Sequence, residues 1–299
     1  MAEFKVMVPL DGSDEAEHAL AYLDTLRCLG ESRVLLFAVA DELEEFRYLT
    51  PAEGSAREEH LLRVYLDDQA KKLIDELGII VETRVERGAP AQKILETAET
   101  FAPDMMVLTT HGRSGFTRWR LGSVADKVIR SVGCNTLVVG PHAATREVWM
   151  NEHLMAGFRS ILVPLDGSAL AESALEVLKP FREVFSPRVH LIQVIQVPMA
   201  ADPYGDGVYM PDLITTIEEG ARDYLKRIRE QLGDTSEVDT TVVTGPAATC
   251  ISEYMERHPV DLVIMTSHGR GGIIRTALGS VTDRLIGGQA PVLVVRPQE

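Results

Sequence analysis

Two hydrophobic patterns alternate along the chain. Residues 5–10 form a short apolar run rich in valine, and so do 33–39, 104–109 and 136–139. Runs of this kind read as strands buried on both faces. Between them, apolar residues recur at spacings of three and four. Ala16, Ala19, Leu20, Leu23 and Leu26 predict one amphipathic helix. Leu61, Leu62, Tyr65, Leu66, Leu73 and Leu77 mark the stripe of another over 55–77, with Ser55 as N-cap, Glu58 three residues on, and Gly78 as its stop. A third strand is expected at 79–85, a helix at 91–101 with Pro90 near its start, and a last helix at 124–132. Strict alternation predicts a parallel sheet with helices on both faces. Such doubly wound sheets bind ligands at the carboxyl ends of their strands. The loops after the first strand, at Asp11, and after the fourth, from Thr109 onward, are therefore the places to look.

The pattern occurs twice. Residues 6–20 (VMVPLDGSDEAEHAL) match 161–175 (ILVPLDGSALAESAL) at 10 of 15 positions, with an offset of 155. Residues 104–129 match 261–286 at 13 of 26 positions, with an offset of 157. Two matches in the same order at nearly one offset indicate a tandem duplication whose unit is a whole domain, long enough to bury its own core. The expected division is 1–140 and 158–299, joined by a linker at 141–157 in which Val148, Trp149 and Met150 pack locally. The last strand of each copy, 136–139 and 291–295, should lie at a sheet edge. An apolar edge is a liability unless paired. The simplest pairing is copy against copy, a pseudo-two-fold dimer within one chain; a homodimer of two chains is the further expectation.

Composition narrows the partners. Hydrophobic residues make up 45% and charged residues 25%, an ordinary globular balance. The net charge of −15, from 45 acidic and 30 basic residues, repels nucleic-acid backbones and anionic lipid, so neither nucleic acid nor membrane is expected as a partner. No apolar run approaches the ~18 residues of a membrane span, and the N-terminus shows no signal-peptide pattern. Cys28, Cys134 and Cys250 are too far apart for a disulfide framework; they read as buried and inert, and the expected compartment is the cytoplasm. A small anion is still admissible, because backbone N–H groups at a helix start are locally positive whatever the net charge.

The candidate chemistry follows the fourth strand. Thr109-Thr110-His111-Gly112 is followed by nine residues and then Gly122-Ser123 at a helix start. The second copy has Thr266-Ser267-His268-Gly269, nine residues, then Gly279-Ser280. Gly112 permits close backbone approach, and Gly122-Ser123 offers N–H groups suited to phosphate. Arg113, Arg118 and Arg120 lie between as counter-charge. Plainer explanations exist for the same residues. Ser123 with Asp126, and Ser280 with Asp283, fit a helix capping box. Asp11-Gly12-Ser13 fits an ordinary strand-to-helix turn. His111 and His268 lack further ligands at helical spacing and read as turn residues whose backbone faces a phosphate rather than as metal ligands. Gly30, Gly78 and Gly233 read as helix C-caps, and 198–211 as a surface loop with the option of a lid or partner contact. There is no P-loop motif, no dinucleotide Gly-x-Gly-x-x-Gly after the first strand, and no hydrolase elbow. Without an evident base or metal set for phosphoryl transfer, binding with at most slow hydrolysis is expected.

These residues resemble the universal stress protein family, and specifically its tandem-domain members, over almost the whole chain, twice. The family signature is Gly, two residues, Gly, nine residues, then Gly-Ser or Gly-Thr. Gly112, Gly122 and Ser123, and again Gly269, Gly279 and Ser280, match it. The resemblance implies two Rossmann-like five-stranded domains of the adenine nucleotide alpha hydrolase-like kind. It also implies a stress-response role, and ATP in one or both copies with Mg²⁺ held through phosphate oxygens and water. Within Pro9-Leu10-Asp11 and Pro164-Leu165-Asp166 the aspartates would sit near adenine and ribose. Val39 and Val194 would give backbone contacts to the base, and Val124 and Val281 contacts beside the phosphates, flanked by His111, Arg113, His268 and Arg270. One departure is shared by both copies: Thr109 and Thr266 stand where the first signature glycine belongs. A β-branched residue resists positive φ. It also adds bulk near the phosphates: if the glycine is needed for its φ or for space, the chain is an interaction module that has lost the nucleotide; if the backbone there is extended, threonine is harmless. An adenylyl-transferring enzyme of the wider group would need a phosphate-gripping motif after the first strand, which Leu-Asp-Gly-Ser does not resemble.

Overall fold

The computed structural model describes residues 3–40, 51–110, 121–144, 157–196, 211–233, 236–267 and 278–297. The first copy supplies β1 (Glu3–Pro9), β2 (Glu31–Ala40), β3 (Ile80–Arg87), β4 (Met105–Thr109) and β5 (Asn135–Val139). All neighbours pair in parallel, in the order β3-β2-β1-β4-β5. The second copy repeats this with β6 (Ser160–Pro164), β7 (Arg188–Ile195), β8 (Val238–Thr244), β9 (Leu262–Thr266) and β10 (Val292–Val295), in the order β10-β9-β6-β7-β8. The order reverses between β1 and β4, and between β6 and β9, so the carboxyl ends of those strands form the crevice of each copy.

The two apolar edges meet as the edge-strand reasoning requires. β5 and β10 pair antiparallel, Val138 with Val292, Leu137 with Leu293 and Thr136 with Val294, giving one ten-stranded sheet. Leu137 and Leu293 are each other's counterparts in the repeat, so a local two-fold passes through that pair. Each face of the sheet carries a core that runs through both copies: Val6, Val139, Leu293 and Val163 on one side, Met7, Val138, Val292 and Leu162 on the other.

Most helices lie where the pattern places them, with four differences. The segment after β1 is a broken one: α1 (Asp14–Glu17) and α2 (Leu23–Leu26) alternate with 3₁₀ turns at Leu20–Tyr22 and Arg27–Leu29. Its counterpart α7 (Ala169–Phe185) is continuous. The first segment carries His18, Tyr22, Asp24, Thr25 and Cys28, all poor helix formers, but α7 stays continuous through Pro180, so propensity alone does not explain the break. The long helix α3 (Pro51–Leu77) begins four residues earlier than expected, so Ser55 lies inside it and is not its N-cap. Gly78 does stop it, at φ +65° with its N–H on Ile74 O. Gly30 ends the last 3₁₀ turn in an extended conformation and is no left-handed cap, unlike Gly233 at φ +86°. Cys28 is exposed rather than buried; Cys134 and Cys250 are half-buried, and burial pushes the Cys134 thiol up to about 11. The remaining helices are α4 (Pro90–Phe101), α5 (Ser123–Ser131), α6 (Pro141–Ala144), α8 (Pro211–Gln231), α9 (Ala247–Arg257) and α10 (Ser280–Leu285). Val148, Trp149 and Met150 and most of the loop expected at 198–211 lie outside the described residues.

Candidate functional site

At the end of β1 the backbone turns sharply and is held by its own side chains. Leu10 is buried and its N–H bonds Phe37 O at 2.8 Å, fixing the strand end against β2. Asp11 Oδ1 then accepts from both the N–H of Ser13 (3.0 Å) and its hydroxyl (2.6 Å), while Gly12 takes φ +81°. Ser13 Oγ in turn accepts from Ala16 N–H and caps α1. The second copy reproduces each contact. Leu165 N–H reaches Ile192 O at 2.8 Å, Asp166 Oδ1 accepts from Ser168 N–H (2.9 Å) and Oγ (2.6 Å), and Gly167 has φ +82°. The turn's hydrogen bonds set the position of each carboxylate at the carboxyl edge of the sheet. Pro9 and Pro164 close β1 and β6 beside them. Val39 and Val194 stand near the ends of β2 and β7, half-buried against the same core.

The fourth-strand loop begins in extended backbone. Thr109 is the last residue of β4, in register with Val139, and Thr266 ends β9 beside Val295. Among the described residues only Ala102 and Ser186 are non-glycine positions with positive φ. The missing first glycine therefore imposes no backbone strain in either copy. Thr110 O accepts from Gly122 N–H at 2.9 Å, and Ser267 O from Gly279 N–H at 2.8 Å, drawing the loop's two ends together. A Cβ on Gly122 would stand 3.1 Å from Thr110 O, which explains glycine there by close approach.

These contacts correct two expectations. Gly122 and Gly279 hold the N-cap positions of α5 and α10, with no side-chain cap bond; Ser123 and Ser280 are the first helical residues, so the capping-box reading fails. The Gly122 and Gly279 amides are themselves engaged by protein carbonyls and are not open donors. The donors move one step on. Asp126 N–H makes the first helical bond to Gly122 O at 2.8 Å, so the amides of Ser123, Val124 and Ala125 precede the ladder. Ser280, Val281 and Thr282 do the same before Asp283 in α10, a helix of six residues. His111, Gly112, Arg113, Arg118 and Arg120, and His268, Gly269 and Arg270, lie outside the described residues.

Sequence reasoning placed Tyr65 only on the apolar stripe of α3. Its hydroxyl is buried and its pKa is pushed upward, first by burial and then by the neighbouring carboxylates of Glu17 and Asp11. Tyr224 repeats this on α8, raised by burial and then by Glu172 and Asp166. Both tyrosines follow a strand-two loop and precede a Leu, a shared Tyr-Leu step that would have flagged them.

Comparison with known proteins agrees with the duplicated fold. The model of the universal stress protein family matches residues 4–140 and again 157–296. The chain belongs to the universal stress protein family, as a tandem member. A universal stress protein of Mycolicibacterium smegmatis is 24% identical over 310 residues, covering 99% of this chain and 98% of its own. The universal stress protein MJ0531 of Methanocaldococcus jannaschii is 34% identical over 142 residues, covering 45% of this chain and 81% of its own. Among solved structures, a universal stress protein from Archaeoglobus fulgidus shares the fold with a TM-score of 0.71 at 21% identity, covering 99% of this chain and 97% of that one. No described helix of this family member is long and apolar enough to cross a membrane.

Proposed function

We propose that this protein binds ATP with Mg²⁺ in one or both copies as a stress-response signal receiver, with at most slow hydrolysis. The observation that carries the reading is the pairing, at one crevice, of a carboxylate held by its own turn and a helix start whose first amides precede the ladder. Asp11 and Asp166 face the base and ribose, with backbone of Pro9, Leu10, Val39, Pro164, Leu165 and Val194 around the base. The amides of Ser123 and Val124, and of Ser280 and Val281, receive the phosphates, favoured by the positive helix end. Gly112, His111 and Arg113, with Gly269, His268 and Arg270, complete the cradle. When bound, ATP supplies the anionic phosphates that carry Mg²⁺; a Mg²⁺ ion keeps several waters and needs few protein ligands. The rival reading, an interaction module emptied by Thr109 and Thr266, loses its conformational basis because both residues are extended. Under the favoured reading the protein acts in the cytoplasm and ligand state alters partner contacts or association into a homodimer.

Calorimetric titration of the full chain with ATP and Mg²⁺ tests this. Saturable heat that weakens at least tenfold in Asp11→Ala combined with Asp166→Ala is the expected result. No heat and no thermal shift at millimolar ATP would overturn it, and steady turnover above about 1 per second would make it an enzyme instead.

A further inference from the structure

At the seam the local two-fold is broken by the equivalent positions Gly140 and Arg296. Leu137-Val138-Val139-Gly140-Pro141 aligns with Leu293-Val294-Val295-Arg296-Pro297, so Gly140 and Arg296 occupy the same place just beyond β5 and β10. Arg296 reaches across the seam. Its backbone N–H donates to Asn135 Oδ1 at 3.0 Å, Nη1 donates to Ser267 Oγ at 3.3 Å, and Nη2 donates to the carbonyl of Ile129. Ile129 is in the last turn of α5, the helix whose first amides line the first-copy crevice. The mirror contact has no side chain in it: a Cβ on Gly140 would stand 2.4 Å from Ile286 O, so backbone fills that space.

The helices on the two sides differ accordingly. α5 runs nine residues and carries an internal Arg130–Asp126 pair at 2.8 Å. In α10 the equivalent of Arg130-Ser131 is Gly287-Gly288, and the helix stops after six residues. Arg296 is partly buried, its Nε has no hydrogen-bond partner, and burial lowers its pKa. Among the described residues no carboxylate pairs with it. A guanidinium in that setting is an expensive way to secure a seam that backbone alone secures on the other side.

We propose that Arg296 is a positioning residue for the first-copy nucleotide site, contributed across the seam by the second copy, and that it makes the two sites unequal, with the first the tighter. The inference rests on the nucleotide reading above. A cation on the last carbonyls of α5 complements the negative helix pole and holds the helix at full length. The amides at its far end are then ordered before ligand arrives, which lowers the cost of binding. No equivalent cation reaches the second copy's helix from position 140, because that position has no room for a side chain.

The test uses the whole chain. Substoichiometric azido-ATP with Mg²⁺ labels the protein, peptide mass spectrometry maps the label, and calorimetry compares wild type with Arg296→Gln and Arg296→Lys. The label is expected in first-copy peptides. R296Q weakens that site about fivefold, the scale of a charge at a helix end, and speeds amide exchange across 123–131, whereas R296K stays close to wild type. A purely structural arginine would lower the melting temperature of R296Q and leave the affinity unchanged. That result, equal labelling of both copies, or label mainly in the second copy overturns the proposal while the nucleotide reading stands. Absence of both label and heat in wild type overturns both.

Discussion

A threonine in place of a glycine matters where the backbone needs glycine's freedom or where another group must approach closely. Thr109 closes the β4–β5 ladder in extended backbone, so restoring glycine relieves no backbone strain. Thr109→Gly is expected to cost about 1 kcal/mol of stability, the price of glycine in a strand, and to change ATP affinity by less than about threefold, a small part of the ~1.4 kcal/mol that makes tenfold. A tenfold gain in calorimetric affinity would mark the threonine as a lesion after all. Ser13→Ala should remove the α1 cap and about 1 kcal/mol with it, read as a lower urea midpoint; an unchanged midpoint would mean the Asp11 turn stands without it. The sequence located the turn at Asp11 and the helix start at Ser123 but not how each is held. Ser-x-x-Asp spacing reads the same whether Ser123 or Gly122 is the cap, and only the extended dihedrals of Gly122 (φ −57°, ψ 148°) decide it. Arg296 belongs to no motif, and its one signal in the sequence was the mismatch with Gly140.

Strands were legible because parallel strands are apolar throughout, while breaks within helices were not, as the interrupted segment after β1 shows. A buried polar cluster was also hidden, because it replaces apolar residues one at a time. His190 on β7 stands where the first copy has Leu35, and Tyr254 on α9 where it has Thr97. Ser160 Oγ donates to Pro259 O at 2.6 Å, so it must accept from His190 Nε2–H at 3.1 Å; Nδ1 then accepts from Tyr254 OH at 3.0 Å. The ring is neutral and only 6% exposed. Burial pulls its pKa below the ordinary 6.5, with Asp239 opposing, and Arg188 and His258 adding to the fall. The unfolded chain thus takes up a proton near 6.5 before the folded one does, so stability is complete above that pH and declines as pH falls from it. His190→Leu should lower stability at neutral pH by about 1 kcal/mol through the partners left unpaired, yet flatten the decline between about pH 7 and 5. Urea midpoints across that range check it; parallel slopes for the two proteins would show that other groups set the acid sensitivity.

At the scale of the molecule, the seam between copies is part of the core rather than a docking surface. Leu137, Val139 and Leu293 share one apolar layer, Val138, Val292 and Val294 the other, and each layer continues into both copies. Neither copy can lose β5 or β10 without exposing the other's buried strand, so the halves should unfold together. Gly140 is the sharpest place to test this. An added Cβ meets Ile286 O at 2.4 Å, closer than real contacts allow, and the obstacle is backbone that cannot rotate away. Gly140→Ala must therefore shift β5 against the end of α10, at a cost of about 1–3 kcal/mol. If the sheet is one cooperative unit, the variant melts in a single transition at lower temperature, and amide exchange rises in β1 and β6 alike. Two separated transitions, or exchange confined to one copy, would mean that the copies are stable domains touching at an edge, and that contacts such as Arg296 to Ile129 transmit nothing.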